Sequence, residues 1–421
     1  MSTRIIFLGL LFSGSLQAQQ SLNLEQCQQL ARDHAPRLGD TELIRQVGEL
    51  KLDQAGNSWF PSLDLNGKAT YQSDVVEFSL EGAPFAITLP EIPRDQYGIN
   101  LDLRQNIYDG GLAGRRKSYE EAVTAADLQQ VEVDLYGLKG KVNAYYFPVL
   151  ILQENYRNLE IHMENLDARE KSVLTAVEQG AVLDSELKVI QVEKLKNSQR
   201  MLEVASRKRA LLDALEILCG LEIQDSVRLE LPEFELSDPG KLNRPEHLLF
   251  DLRHASLEAG KELAGSQRMP VLYAYGQTGY GKPGYNMMSD DWDFYYMVGA
   301  GLHWKIWDWN TTRKDKQVLA YQQQLLQHQR MAFDRELRGM LVQEAERIDQ
   351  YKRTMEIEEQ VLALQEEISE AAASKLVNGT MTASDYITEL NKESMARIRL
   401  ATNRIQVMQA MANYLVIQGN L

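Results

Sequence analysis

Residues 97–116 have the sequence YGINLDLRQNIYDGGLAGRR, in which a strand pattern changes into a helical pattern. Apolar and polar residues alternate through the first half of this stretch, as in a β-strand with one apolar face. Asp109, Gly110 and Gly111 follow, and glycine accommodates the unusual backbone of a sharp bend. The stretch therefore predicts a strand that bends directly into a long helix.

The same order of features recurs at residues 296–315, with the sequence YMVGAGLHWKIWDWNTTRKD. Landmarks in the two copies are 199 positions apart from the bend onward and 209 positions apart before it. The pairs are Asp109 with Asp308, Gly180 with Gly379, Gly220 with Gly419, Pro36 with Pro245, and Pro61 with Pro270. A repeat of this length predicts a tandem duplication. Trp309 and Asn310 replace the two glycines in the second copy, so the sequence does not require the second bend to match the first.

Four segments follow from the repeat and from the start of the chain. Residues 1–18 combine a basic residue, an apolar run and small residues, and are predicted to be a secretory signal peptide. Residues 19–220 are the first repeat, residues 221–243 a polar linker, and residues 244–421 the second repeat. No later run approaches the ~20 apolar residues that a membrane helix needs. The chain is therefore predicted to be exported without a membrane-spanning helix.

Each repeat is predicted to contribute two β-strands. Residues 62–71 and 97–107 alternate clearly, as does the stretch from Tyr296, whereas residues 271–281 alternate poorly. An apolar and a polar face fit either a sheet with one face in water or the strands of a transmembrane barrel. All five tryptophans lie in or beside the strands, as in the aromatic belts at membrane interfaces, which favours the barrel. They are Trp59, Trp292, Trp304, Trp307 and Trp309.

Long helices account for most of the remaining chain. Helical patterns cover residues 112–179 and 310–378, each about 100 Å long at the usual rise per residue. Apolar residues at every seventh position indicate coiled-coil packing. Gly180 and Gly379 end the two patterns, shorter helices return after them, and Pro148 is predicted to kink the first helix. The predicted fold class is mainly α, with a long α-helical coiled-coil barrel and a transmembrane β part.

The predicted strands indicate how many copies assemble. Four strands cannot close a membrane barrel, and lipid does not tolerate open sheet edges. Eight strands from two copies would leave a lumen nearly filled by side chains, whereas twelve strands from three copies leave a useful width. A homotrimer that shares a 12-stranded β-barrel is therefore predicted.

Composition and motifs exclude several classes of function. The chain has 45 basic and 60 acidic residues, a net charge of −15, which argues against nucleic acid as a partner. The motifs of zinc proteases, serine hydrolases and phosphate-binding loops are absent. The chain is predicted not to be an enzyme and to bind neither cofactor nor metal. Its six histidines are predicted to lie at the surface or in a lumen, and Cys27 and Cys219 to fill small apolar helix positions.

The sequence resembles the TolC family of outer-membrane efflux and secretion ducts. The resemblance covers nearly the whole mature chain, in LNLEQCQQLARDHAP, WFPSLDL, NIYDGGLAGRRKSYEEA, QGAVLDSELKV, NRPEHLLFDLRHASLEA and NGTMTASDYITEL. It implies a homotrimer in outer-membrane lipid with its helical tunnel in the periplasm. It also implies that a periplasmic membrane-fusion adaptor and an inner-membrane transporter dock at the hairpin tips, near Gly180 and Gly379. The implied function is the exit duct of a tripartite efflux pump or a type I secretion system.

Candidate site residues lie first at the strand-to-helix junctions. Asp109 and Asp308 immediately precede the long helices. A carboxylate that accepts hydrogen bonds from free backbone N–H groups explains them better than catalysis does. Gly110 and Gly111 are predicted to permit the first bend.

The second group of candidates lies at the hairpin tips. By resemblance, Asp385 matches a family position whose carboxylates ring the closed periplasmic entrance. The second acidic position of that ring is Thr388 here, so the ring is single unless Glu389 substitutes in part. Glu186 follows Gly180 at the same distance as Asp385 follows Gly379. A helix cap is the alternative role of Asp385, and both roles stay open at this point.

An exported coiled-coil scaffold, or a periplasmic adaptor without a pore, is the alternative function. An adaptor is expected to have one helical hairpin and a lipoyl-like β-domain between its flanks, and the sequence indicates neither. Fractionation with the outer membrane would distinguish a channel from a scaffold.

Overall fold

The computed structural model describes residues 21–75, 93–225, 227–236, 242–286 and 289–421. The predicted signal peptide lies outside these residues. The fold of the described ranges is mostly helical, as predicted. In chain order the elements are β1 (Ser21–Leu22), α1 (Leu24–Asp33), α2 (Pro36–Asn57), β2 (Ser62–Tyr71), β3 (Asp95–Tyr108), α3 (Leu112–Glu178), α4 (Asp184–Cys219), β4 (Arg228–Leu229), α5 (Pro245–Ser266), β5 (Val271–Lys282), β6 (Asp293–His303), α6 (Thr311–Val377) and α7 (Ala383–Gln418).

The two repeats contain matching helices. The long helices α3 and α6 each have 67 residues, and the returning helices α4 and α7 each have 36. The helices that precede the sheet, α2 and α5, each have 22. Corresponding helices begin 199 or 209 positions apart, which are the offsets between the paired landmarks of the sequence.

Proline has different roles at three places in these helices. Pro36 and Pro245 are the first residues of α2 and α5, where a missing N–H costs nothing because that group has no partner within the helix. Pro148 lies inside α3, which remains helical on both sides of it. The predicted kink at Pro148 stays a prediction. Among the described residues, no helix has both the length and the apolar character needed to cross a membrane.

Four strands form one antiparallel sheet in the order β2-β3-β5-β6, so each repeat contributes a pair of neighbouring strands. Leu101 of β3 lies opposite Leu65 of β2 and Thr278 of β5. β2 and β6 are the edges of this sheet. Within the described residues, the outer backbone groups of these two strands therefore have no strand to pair with.

The chain divides into two compact units, and both draw on the two repeats. The helical unit comprises the described residues up to Gly39, together with Glu132–Pro245 and Phe333–Leu421. The sheet unit comprises Asp40–Val131 and Glu246–Ala332, and it contains the four-stranded sheet. The long helices α3 and α6 each contribute residues to both units.

The apolar core of the helical unit includes part of the segment predicted to be a polar linker. Ile223, Val227 and Leu229 are buried in it. β1 pairs with β4 in parallel, with Leu22 opposite Leu229, and the hydroxyl of Tyr146 donates to the carbonyl of Leu22 at 2.9 Å. The linker alternates apolar with acidic residues and contains two prolines, so its composition indicated a polar connection and not this packing.

Candidate functional site

Asp109 and Asp308 bind the first backbone N–H groups of the long helices. The carboxylate of Asp109 accepts hydrogen bonds from the backbone N–H of Gly111 at 2.8 Å and of Ala113 at 2.7 Å. The carboxylate of Asp308 accepts from the hydroxyl of Thr312 at 2.6 Å and from its backbone N–H at 3.0 Å. These two bonds hold the pKa of Asp308 below its usual value. Both aspartates therefore act as caps of free helix N–H groups.

The two strand-to-helix bends have the same backbone conformation. Gly110 and Gly111 have φ angles of 70° and 80°, and Trp309 and Asn310 have φ angles of 55° and 62°. The sequence did not require this match, and the structure shows that the second bend repeats the first. Left-handed backbone is uncommon for residues other than glycine. Trp309 adopts it with its side chain exposed to solvent.

β6 ends earlier than the sequence predicts. The strand pattern continues through Trp304 to Ile306, but the strand ends at His303. Ile306 donates its backbone N–H to the carbonyl of Trp304 at 3.0 Å, which closes a three-residue turn. The ring N–H of Trp304 donates to the carbonyl of Arg268 at 3.1 Å. These two bonds turn the chain out of the strand before the bend.

One face of the sheet is apolar and exposed. Leu101, at its centre, is partly buried by its neighbours. The other large apolar side chains of this face are exposed: Leu63, Leu65, Ile99, Leu103, Tyr280, Phe294, Tyr296, Val298 and Leu302. Soluble monomers rarely expose so many contiguous apolar side chains, and such a surface marks a membrane or protein contact.

The opposite face of the sheet is polar and centres on Asp102. The carboxylate of Asp102 accepts hydrogen bonds from the side-chain amides of Asn66 and Asn100, both at 2.7 Å, and of Gln277 at 2.6 Å. These residues come from three adjacent strands. The polar residues of the alternating pattern thus form one network across the sheet.

Tyrosines on the polar face explain why β5 alternates poorly. Tyr273 and Tyr275 lie directly opposite Gly301 and Gly299 of β6. A Cβ on Gly301 would meet the Tyr273 ring at 2.5 Å, and a Cβ on Gly299 would meet the Tyr275 ring at 2.7 Å. The glycines therefore make room for aromatic rings on the polar face, while Gly276 of β5 lies on the apolar one. Because β5 has large rings on its polar face and a glycine on its apolar face, the alternation of apolar and polar residues is hard to recognise in its sequence.

The two hairpin ends have identical turns. Gly180 and Gly379 have φ angles of 74° and 66°, in the left-handed region. Gly180 donates its N–H to the carbonyl of Val177 at 2.9 Å, and Gly379 donates to the carbonyl of Leu376 at 3.1 Å. A side chain at either position meets no atom within 4 Å, so the backbone conformation alone requires glycine there. The structure thus has a tight turn at both predicted tip residues.

One apolar core holds the two hairpin ends together. It draws on all four hairpin helices of the helical unit: Leu166 and Val173 of α3, Leu187 and Ile190 of α4, Ala373 and Leu376 of α6, and Tyr386, Ile387 and Leu390 of α7. The hairpins of the two repeats are therefore packed against each other rather than standing apart.

Glu186 links the first hairpin to the second. Its carboxylate accepts a hydrogen bond at 2.5 Å from the backbone N–H of Ala383, the first residue of α7. Ala383 is fully buried, and the N-terminus of a helix attracts negative charge. Asp184, in the same turn of α4, is exposed and pairs with Lys188 at 2.7 Å. Of these two acidic residues, the predicted tip residue Glu186 is the one that caps the other hairpin.

Asp385 belongs to the first turn of α7. Thr382 is the N-cap, and its hydroxyl oxygen accepts a hydrogen bond from the backbone N–H of Asp385 at 3.2 Å. The same hydroxyl donates to the carboxylate of Asp385 at 2.7 Å. Asp385 and Thr388 are both exposed, one turn apart on α7. The carboxylate thus supports the helix cap and remains open to solvent.

Glu389 is held against α6. Its carboxylate forms an ion pair with Lys392 at 2.8 Å and accepts a hydrogen bond from the side-chain amide of Gln365 at 3.1 Å. The bond from Lys392, followed by the bond from Gln365, lowers the pKa of Glu389. Its charge is therefore balanced within the chain, unlike that of the exposed Asp385.

Two polar residues of the hairpins, His162 of α3 and Glu193 of α4, are buried, which the sequence analysis did not predict. His162 of α3 is 3% exposed, so the prediction that all histidines lie at the surface or in a lumen is wrong for it. Burial lowers the pKa of His162. Glu193 of α4 is also buried, and it accepts hydrogen bonds from Arg200 and Asn391, both at 3.2 Å. The sequence signal was a polar residue on the otherwise apolar stripe of α4, three positions after Ile190.

The hairpin ends enclose a cavity of about 390 Å³. Its lining includes the basic Arg169, the acidic Glu186 and Asp385, and Val173 and Met381. The guanidinium of Arg169 donates to the hydroxyl of Tyr386 at 3.2 Å. Across the part of the chain that the structure describes, no group of three or more His, Cys, Asp or Glu side chains is placed to hold a metal ion. Arg169 and Glu186 thus each bond to the other hairpin, whereas Asp385 bonds within the start of its own helix.

Comparisons with known proteins find similarity in structure alone. No protein-family model matches the chain, and no curated protein sequence matches it. VceC, an outer membrane protein of Vibrio cholerae, aligns with a TM-score of 0.67 at 14% identity, over 94% of this chain and 96% of VceC. A membrane protein of Pseudomonas aeruginosa aligns with a TM-score of 0.69 at 12% identity, over 94% of this chain and 90% of that one. The CmeC outer membrane channel of Campylobacter jejuni aligns with a TM-score of 0.64 at 15% identity, over 94% and 85%.

Proposed function

Because this chain has the fold of the TolC-like outer-membrane channels, we propose that it is itself an outer-membrane channel. It would be the exit duct of a tripartite efflux pump or a type I secretion system, with its sheet in the outer membrane and its helical hairpins in the periplasm. The resemblance noted in the sequence agrees with the fold over nearly the whole chain. A passive duct also requires no catalytic group.

The exposed apolar face of the sheet is the observation that carries this proposal. Leu65, Val298 and Leu302 are each more than 60% exposed, and hydrocarbon is the environment that stabilises such a face. The edges β2 and β6 would pair between copies, because lipid offers no hydrogen bonds to open edges. Three copies would supply twelve strands, enough for a lumen.

The hairpin ends are the proposed docking site for a periplasmic membrane-fusion adaptor and, with it, an inner-membrane transporter. Leu183 and Val377, which lie beside Gly180 and Gly379, are exposed apolar side chains. Exposed apolar residues at the end of a hairpin favour contact with another protein. The identity of these partners rests on the resemblance of the sequence.

Asp385 is the proposed constriction residue at the same end. Its carboxylate is exposed, and three copies around an axis would place like charges close together. At an effective dielectric constant of about 20, unit charges about 8 Å apart repel by roughly 2 kcal/mol. Such a ring would attract cations. Glu389 would add little to it, because Lys392 balances its charge.

Membrane fractionation followed by planar-bilayer recording tests the proposed function. We expect the protein in the outer-membrane fraction, as a trimer that dissociates on heating in detergent, and stepwise conductance after incorporation into bilayers. A scaffold or an adaptor without a pore would give neither a heat-dissociable trimer in the outer-membrane fraction nor stepwise conductance. Protein that fractionates with soluble periplasmic components and yields no conductance would refute the channel.

The same recordings test Asp385. In the native protein, a multivalent cation added on the hairpin side should block the current. Asp385→Ala should weaken this block and reduce cation selectivity, whereas Thr388→Ala, one turn away, should change little. Unchanged block and selectivity in a stable Asp385→Ala trimer would leave Asp385 with its helix-cap role alone.

A further inference from the structure

The two cysteines of the chain lie in contact although 192 positions separate them. Cys27 is on α1, and Cys219 is the last residue of α4. Both are 0% exposed. The thiol of Cys219 lies 3.4 Å from the backbone carbonyl oxygen of Cys27 and donates to it, so the two residues are direct neighbours. Two chance cysteines among 421 residues are not expected to meet in this way.

The surroundings of the pair do not suit a reactive or metal-binding thiol. Cys27 and Cys219 belong to an apolar core with Leu24, Leu215 and Ile223. The neighbouring Cys219 side chain, together with burial, raises the pKa of the Cys27 thiol, whereas nucleophilic and metal-binding cysteines need a thiolate. The sequence alone indicated two independent apolar positions, and the structure brings them into one place.

We propose that Cys27 and Cys219 are joined by a disulfide bond in the exported protein. This inference rests on the proposed function, which places the helical unit in the periplasm. That compartment is oxidising, and disulfides form and persist there. Both thiols are free in the structure, and the thiol of Cys219 already reaches the backbone of Cys27, so the two residues are as close as a disulfide bond requires.

Disulfide exchange with a periplasmic thioredoxin-like oxidoreductase would form the bond. One cysteine thiolate attacks the disulfide of the oxidoreductase and gives a mixed disulfide. The second cysteine then attacks this mixed disulfide, and the oxidoreductase leaves as a dithiol. The two protons and two electrons lost by Cys27 and Cys219 are thus those gained by the oxidoreductase. The exchange precedes the burial of the pair during folding.

The bond would fasten the start of the mature chain to the end of the first hairpin. α1 is the first helix of the described chain, and α4 ends at Cys219; a Cβ on the next residue, Gly220, would lie 2.4 Å from the ring of His34. The second repeat has Gln418, also 0% exposed, at the position that matches Cys219. The bond therefore belongs to the first repeat and closes a long loop, which restricts the unfolded chain.

Alkylation and mass measurement of the full-length protein from outer membranes test the inference. The protein is prepared without reductant, denatured with N-ethylmaleimide, and compared with a sample reduced before alkylation. We expect no adduct without reduction, two adducts after it, and one linked peptide that contains Cys27 and Cys219. Protein in the outer membrane with two adducts before reduction would overturn the disulfide while the proposed location stands. Protein found in the cytoplasm with two free thiols would overturn both.

Variants separate the bond from simple packing. Cys27→Ala should leave Cys219 as one free thiol that takes one adduct without reduction, because its partner is gone. Reductant should lower the thermal unfolding midpoint of the native protein and leave that of the Cys27→Ala/Cys219→Ala double variant unchanged. Equal shifts in both proteins would show that the pair contributes by packing alone.

Discussion

The two strand-to-helix bends show when a residue other than glycine can adopt left-handed backbone. A Cβ on Gly110 would lie 2.3 Å from the Cβ of Met269, whereas a Cβ on Gly111 meets no atom within 4 Å. At the matching second bend, the side chain of Trp309 is 79% exposed. A non-glycine residue is therefore tolerated where its side chain reaches solvent, at the cost of an unfavourable φ angle.

Gly110→Ala should destabilise the protein more than Gly111→Ala does. Both changes put a Cβ on left-handed backbone, which costs about 1–2 kcal/mol. In Gly110→Ala the new Cβ also clashes with the Cβ of Met269. Only a shift of the backbone at one of these two residues can relieve this clash, and such overpacking costs about 1–3 kcal/mol. Thermal unfolding of the two variants checks this. Equal loss in both would mean that the φ angle alone determines the cost.

His162 is the residue whose burial gives a pH dependence. Its pKa is lowered by burial, and the charged groups that face it are Glu193 and Arg200 of α4 and Glu393 of α7. The unfolded chain therefore binds a proton to this histidine before the folded chain does, below about pH 6.5. The contribution of His162 to stability is complete above that pH and is lost as the pH falls through the folded-state pKa.

His162→Gln should reduce the loss of stability at acid pH. Glutamine is polar and does not titrate, so the variant lacks the proton uptake of the unfolded histidine. The measurement is the difference in unfolding midpoint between native protein and variant from pH 8 to pH 5. The midpoint of the native protein should fall more steeply below pH 6.5, and parallel curves would show that His162 does not contribute.

At the scale of elements, patterns among neighbouring residues predicted the helices, whereas contacts between residues far apart in the sequence were not predicted. The bounds of α3 and α6 were predicted to within one residue, because Gly180 and Gly379 mark the turns that follow them. The β1–β4 ladder was missed, since two-residue strands carry no period. The bond from Ala383 to Glu186 was missed for a related reason: it joins residues 197 positions apart, and no local pattern reports such a pair. The carboxylate caps Asp109 and Asp308 were predictable from their place before a helix.

Glu186→Ala should loosen the start of α7. Removing a carboxylate that caps a helix costs about 0.5–2 kcal/mol, and here the freed N–H group is that of the buried Ala383. Asp184→Ala is the matched control, because it removes an exposed carboxylate of the same turn that pairs only with Lys188. Hydrogen exchange of the first turn of α7 is the measurement. Similar exchange rates in both variants would contradict the cap.

Leu101→Arg should impair assembly in the membrane, and Asn100→Arg should not. Leu101 is on the apolar face, where an arginine at mid-bilayer costs about 2–4 kcal/mol. Asn100 is on the polar face, and its amide donates to Asp102 at 2.7 Å, so an arginine there retains an acidic neighbour. The readout is the fraction of each variant found as heat-dissociable trimer in outer membranes. Equal fractions would mean that the two faces do not separate lipid from lumen.

At the scale of the whole molecule, the two edges of the sheet determine how copies of the chain assemble. The sheet of one chain ends at β2 and β6, and a head-to-tail contact between copies forms a closed ring when the rotation between them closes. The sequence predicted four strands and their alternation, but the pairing between copies involves a second chain and has no pattern in one sequence. The number of copies in the ring is therefore a property of the assembled protein, and a measurement on that assembly tests it.

Cross-linking between the two edges measures that number most directly. Within one chain, β2 and β6 are three strand spacings apart, about 14 Å, too far for a disulfide. A chain without its native cysteines would carry one cysteine at Leu65 and one on β6, at Tyr296, Val298 or Ala300 in turn, with single-cysteine chains as controls. Any disulfide between the two must then join different copies.

After oxidation in outer membranes, denaturing gels without reductant should show cross-linked dimers and a covalent trimer as the largest species, for at least one β6 position. Each single-cysteine control should lack the trimer. A product that stops at the dimer, a ladder that continues beyond the trimer, or no cross-link at any of the three positions would contradict a barrel closed by three copies.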